Sequence, residues 1–114
     1  MRKKIMCLFE GRHEMPSYVE GAVLKDIHDI TDLEEMSDQC HMALQDCNEL
    51  VLFVTGLTPA LVSVVNYCTY NHIKLTLMHW NKNTGTYFQQ KVYVPEYSNR
   101  KRFVKRMRQL QSTR

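Results

Sequence analysis

Between Leu50 and Met78 the apolar and polar positions form the clearest pattern in the chain. Leu50-Val51-Leu52-Phe53-Val54 is a short, continuous apolar run of β-branched, aliphatic and aromatic residues. That suits a strand buried on both faces, as inside a parallel sheet. Leu61, Val64, Val65 and Cys68 then recur at helical spacing. Ile73 to Met78 forms a second apolar run. The pattern predicts strand, turn, helix and strand, joined by a right-handed crossover. The turn is Thr55-Gly56-Leu57-Thr58-Pro59. Gly56 can take backbone angles closed to other residues. Thr58 is expected as the N-cap, with Pro59 at the first helical position, where a missing N–H costs nothing. A helix N-terminus, with its amides and positive dipole end, then lies at the carboxyl edge of a buried strand.

The flanking pattern extends this unit on both sides. Residues 4 to 9 read as a first strand ended by Gly11. The polar connection Gly11-Arg12-His13-Glu14-Met15-Pro16 leaves that strand on the ligand-binding edge of an open α/β sheet. Ala22 to Ile30 alternates without a clean apolar face, as a short edge strand or an extended connection does. Thr31 or Asp32 can cap a helix with Glu34 and Glu35 in its first turn. Its apolar stripe is Leu33, Met36, Cys40, Ala43, Leu44 and Cys47. Asn83-Thr84-Gly85 is a turn signal, and Tyr87 to Val94 alternates as an antiparallel hairpin strand at the sheet edge. A last helix is expected over about 98–110, with Phe103, Val104, Met107 and Leu110 on one stripe and six Arg and Lys residues elsewhere. The expected fold is a single α/β domain over residues 1–114, a three-layer Rossmann-like form. Its sheet is mostly parallel, with an antiparallel edge hairpin.

Composition changes this picture little. At 114 residues, 44% apolar and 24% charged, the chain suits one ordinary globular core. No apolar run approaches the ~20 residues that cross a membrane. Glu10 interrupts the apolar stretch after Met1-Arg2-Lys3-Lys4, so the start reads as a strand and not a signal peptide. A cytoplasmic protein is expected. Cys7, Cys40, Cys47 and Cys68 form no close pair, which favours buried reduced thiols over a metal site. No cofactor is implied. Charge is the exception. Residues 5–95 carry a net of −6, and residues 96–114 a net of +6. The basic tail suits docking on an acidic body, or contact with an acidic partner or nucleic acid.

Candidate chemistry gathers on one sheet edge. Thr55, Gly56, Leu57 and Thr58 lack the lysine and glycines of a phosphate-binding P-loop. Their hydroxyls and nearby amides nonetheless suit a phosphate or ribose. Arg12 offers a fork of donors for phosphate, and His13 a proton carrier near neutral pH. His79 and Trp80 end the strand after the central helix, and Trp80 suits stacking on a base. No Ser-His-Asp arrangement or helix-spaced carboxylate pair is visible in the sequence.

The strand, Thr-Gly-x-Thr-Pro-Ala turn, helix and strand resemble the small Rossmann-like CARF domains of CRISPR systems. They also resemble the compact ring nucleases on related folds. The matching stretches are Gly11-Arg12-His13 and Thr55-Gly56-Leu57-Thr58. The resemblance implies a homodimer that binds a cyclic oligoadenylate or related nucleotide signal across its two subunits. It also implies a possible metal-independent cleavage: a ribose 2′-hydroxyl attacks its neighbouring phosphate in line. Arg12 and helix amides would hold that phosphate, and His13 would serve as acid or base. The competing reading is a non-enzymatic module that contacts an acidic partner or nucleic acid through its basic last helix.

Overall fold

A computed structural model describes residues 2–11 and 14–92. Arg12, His13 and the basic helix expected over 98–110 lie outside the described residues. The chain forms β1 (Arg2–Phe9), β2 (Ala22–Leu24), α1 (Leu33–Leu44), β3 (Cys47–Phe53), α2 (Thr58–Tyr70), β4 (Lys74–Asn81) and β5 (Thr86–Val92). The strands make one sheet in the order β2-β1-β3-β4-β5. β3 is central, as its unbroken apolar run requires. It pairs in parallel with β1 (Ile5 opposite Val51) and with β4 (Val51 opposite Thr76). β2 joins β1 in parallel, and β5 closes the other edge antiparallel to β4.

Strand alternation separates two cores. Leu8, Leu50, Leu52, Leu75 and Leu77 meet Met36, Cys40 and Leu44 of α1 and Ala60, Val64 and Cys68 of α2. The opposite parity puts Cys7 and Phe53 with Met15, Val19, Val51, Met78 and Tyr87. Both helices therefore share one face. Handedness explains this: the β2-α1-β3 and β3-α2-β4 crossovers step the same way along the sheet, so right-handed returns place both helices on one side. The β1-to-β2 connection steps the other way and carries Met15 and Val19 over the opposite face. The described residues thus show an α/β arrangement of five strands and two helices, with the helices on one side of the sheet.

Polar contacts set where α1 begins and ends. The Asp32 carboxylate accepts the Glu35 N–H at 3.0 Å, which makes Asp32 the cap. At the far end the Lys4 ammonium, largely buried under α1, donates to the Ala43 carbonyl at 2.7 Å and to Asp46 at 2.8 Å. A cation there satisfies the Ala43 carbonyl near the end of the helix and holds the Asp46 carboxyl below its ordinary value. Helix α1 accordingly stops at Leu44. Cys47, expected on the helical stripe, instead opens β3, and Leu33 is exposed rather than packed. Among the described residues, no helix is long and apolar enough to cross a membrane.

All four cysteines are free and buried. Burial pushes the Cys40 thiol from 9.0 up to about 11 and the Cys68 thiol up to about 12. The folded protein therefore keeps these protons after an unfolded chain has released them. The stability they support is complete below pH 9 and is lost as pH rises through 11 to 12. Thermal melts are expected to show a falling midpoint above pH 9. Cys68→Ala should flatten that fall; an unchanged slope would remove the buried thiol as its cause.

Candidate functional site

The strand order fixes where a ligand crevice forms. The chain leaves β1 toward one edge and later returns to build β3 and β4 toward the other. The reversal lies between β1 and β3, and open α/β sheets bind ligands at the carboxyl ends of the strands flanking such a reversal. A crevice of about 630 Å³ opens there. Glu14, Met15 and Pro16 line it from the connection after β1, and Val54, Thr55 and Gly56 from the turn after β3. Trp80 at the end of β4 and Tyr87 at the start of β5 complete it.

The turn after β3 is backbone-strained. Val54 stays tied to the sheet through its N–H to the Met78 carbonyl, at 3.0 Å. Gly56 (φ +91°) and Leu57 (φ +58°) then both take positive φ. Glycine does so freely, whereas a bulky Leu does not. The Leu57 side chain packs against the helix-side core, which holds the strained backbone in place. This pair starts α2 one residue earlier than the sequence suggested. Leu57 is the N-cap and makes no side-chain cap bond, Thr58 is the first helical residue, and Pro59 follows it in the first turn. Thr58 therefore does not cap α2.

The early start divides the expected loop between two surfaces. Thr55 and Gly56 line the crevice, whereas Thr58 and Pro59 line a groove between α1 and α2. Thr55 is only 3% exposed, and its hydroxyl oxygen has no hydrogen-bond partner among the described residues. An unpaired buried hydroxyl costs about 1–3 kcal/mol. It is the only described side-chain atom left in that state.

The other side of the crevice is aromatic. Trp80, 54% exposed, meets Tyr87 edge to face at 5.0 Å. Tyr87 stands edge-on to Phe53 at 4.8 Å, and Phe53 lies 6.0 Å from Tyr18. This chain of rings anchors the indole while leaving half of it open to solvent. His79 precedes Trp80 on the same strand, so alternation sends it to the opposite face. There it shares a 2.9 Å hydrogen bond with Gln90 and lies against Phe88. Gly11, in the turn after β1, has φ +75° and is not among the residues lining the crevice.

Tyr87 and Met15 were absent from the sequence-based candidates. The pairing of Trp80 with Tyr87 across the Asn83-Thr84-Gly85 turn follows from hairpin register, so a signal for Tyr87 existed. Met15 had none, since a polar connection does not reveal which way it folds. Glu14 is the only charged side chain lining the crevice among the described residues. No group of three His, Cys, Asp or Glu residues suited to a metal occurs among them either. Compared with known proteins, the chain matches no protein-family model, no curated protein and no solved structure.

Two substitutions test this geometry. Thr55→Val removes the unpaired hydroxyl while keeping the shape, so it should raise stability by about 1 kcal/mol in urea titrations. A loss of stability would mean that the hydroxyl is already satisfied. Gly56→Val forces a β-branched residue to positive φ and should cost about 1–3 kcal/mol. An unchanged midpoint would show that the turn is not built this way.

Proposed function

We propose that the protein binds a nucleotide in the crevice between Thr55 and Trp80. The observation that carries the reading is the buried, unpartnered hydroxyl of Thr55, a residue that lines a crevice at the sheet's reversal point. A ligand oxygen, from a phosphate or a ribose, would recover the hydrogen bond that the fold leaves unmade. Because that oxygen is shut off from solvent, contact requires a small shift of the crevice wall on binding. A base stacked on the open face of Trp80 would add about 1–3 kcal/mol. Polar contact on one side and an aromatic platform on the other match the two ends of a nucleotide.

The resemblance to CARF domains and ring nucleases narrows the ligand to a cyclic oligoadenylate or related nucleotide signal, bound by a cytoplasmic homodimer in antiviral defence. In this reading Arg12 and His13, next in sequence to the crevice residue Glu14, supply the phosphate contact and the proton transfer of a metal-independent cleavage. The reading includes the three-layer Rossmann-like form expected from the sequence. The competing reading, a module gripping an acidic partner or nucleic acid through that basic segment, rests on sequence charge alone.

Trp80 is the sole tryptophan, so intrinsic fluorescence reports directly on the crevice. Titration with a panel of cyclic oligoadenylates, with EDTA present, should quench it saturably at micromolar concentration. Thr55→Val should weaken the interaction at least tenfold while leaving the protein folded. Chromatography of the same mixtures should show linear products that disappear in Arg12→Ala and His13→Ala if the protein cleaves. Neither quenching nor cleavage with any member of the panel would sink the nucleotide-signal reading.

A further inference from the structure

The two faces of the sheet are covered unequally. On the side away from the helices, Cys7 of β1 and Phe53 of β3 are buried and pack with Met15, Tyr18 and Val19 of the β1-to-β2 connection. Two residues earlier on these strands, Ile5 lies beside Val51, and Val51 beside Thr76 of β4. All three are only half-buried, as is Met78, the neighbour of Phe53 on β4. Central strands of a parallel sheet are apolar on both faces because both faces are normally covered. Helices α1 and α2 pack on the opposite face, so this patch has no helical cover among the described residues.

We propose that residues 98–110 of this same chain cover the patch. The path of the chain names the occupant. β5 is the edge strand beside β4 and ends at Val92, opposite Leu75 and therefore level with the half-buried row. The five residues 93–97 can span about 17 Å. A path across two strand spacings and up one layer, about 10 Å each way, needs about 14 Å. The segment beyond has the pattern such a cover requires. Phe103, Val104, Met107 and Leu110 recur at helical spacing, with six Arg and Lys residues at other positions. As a helix, the stretch from Phe103 to Leu110 extends about 10 Å, against about 7 Å from Val51 to Phe53 along β3. Its apolar stripe then meets Val51, Thr76 and Met78, while the basic side chains stay in water. The far end of the same face carries Trp80 and Tyr87. The segment therefore brings positive charge beside a crevice whose described lining holds Glu14 as its only charge. The proposal stands without the nucleotide reading, since reach and apolar match carry it.

Thiol labelling of the full chain tests it. The four native cysteines are buried, so a maleimide reads an introduced thiol. Thr76→Cys and, as a second reporter, Val51→Cys each place one in the patch. Lys82→Cys places one in the exposed hairpin turn as a reference. In the otherwise unchanged chain the patch thiols should react at least tenfold more slowly than the reference. Adding Val104→Asp and Met107→Asp should speed the patch thiols at least tenfold and leave the reference rate as it was. Patch thiols that react as fast as the reference from the start show an open face. Slow patch thiols that are indifferent to Val104→Asp and Met107→Asp show another occupant, such as a second copy of the chain. Either result overturns the proposal.

Discussion

Burial of β3 on both faces is the constraint from which the rest of the structure follows. Leu50 and Leu52 turn to the helices, while Val51 and Phe53 turn to the other side of the sheet. A strand with no polar face needs a cover on each side, and full burial of each Leu or Phe contributes about 1.5–3 kcal/mol. The two right-handed crossovers provide one cover, and Met15, Tyr18 and Val19 of the β1-to-β2 connection, with Tyr87 of β5, provide part of the other. The same constraint sets the exit from β3. The chain has only Val54 to Leu57 in which to leave the sheet and start α2 on the helix side. It does so by placing two successive residues at positive φ.

That exit is where structure and proposed function meet. The strained Leu57 backbone and the unpaired Thr55 hydroxyl sit two residues apart, and each costs free energy that a protein selected only for stability would avoid. Such costs cluster at sites that do something besides fold. The aromatic chain from Tyr18 to Trp80 acts oppositely, since it stabilises the face and fixes the indole at the crevice mouth. A wall that carries Thr55 opposite an aromatic one suits a ligand that combines a flat ring with hydrogen-bonding oxygens.

Much of the architecture was legible because it depends on period and turn chemistry. The apolar run of β3, the spacing of Val64 and Cys68 on α2 and the Asn83-Thr84-Gly85 hairpin each carry a local signal. Features decided by tertiary contact were not legible. Thr58 has every local property of a cap, yet Leu57 takes that place because its side chain is drawn into the core. Cys47 continues the helical stripe of α1, but Lys4, from a strand distant in sequence, stops the helix first. His79 and Trp80 are adjacent in sequence and were read as sharing an edge, but strand alternation sends them to opposite faces. The bare Thr55 hydroxyl has no sequence signature, since only the packed fold shows which buried polar atoms lack partners.

The central claim is that Thr55 is left unpartnered for a ligand oxygen. A crystal structure of the protein with a bound cyclic oligoadenylate tests it most directly. The account predicts a phosphate or ribose oxygen within about 3 Å of the Thr55 hydroxyl, with a base against the open face of Trp80. A ligand seated elsewhere, with the Thr55 hydroxyl still unpaired beneath an empty crevice, would contradict it.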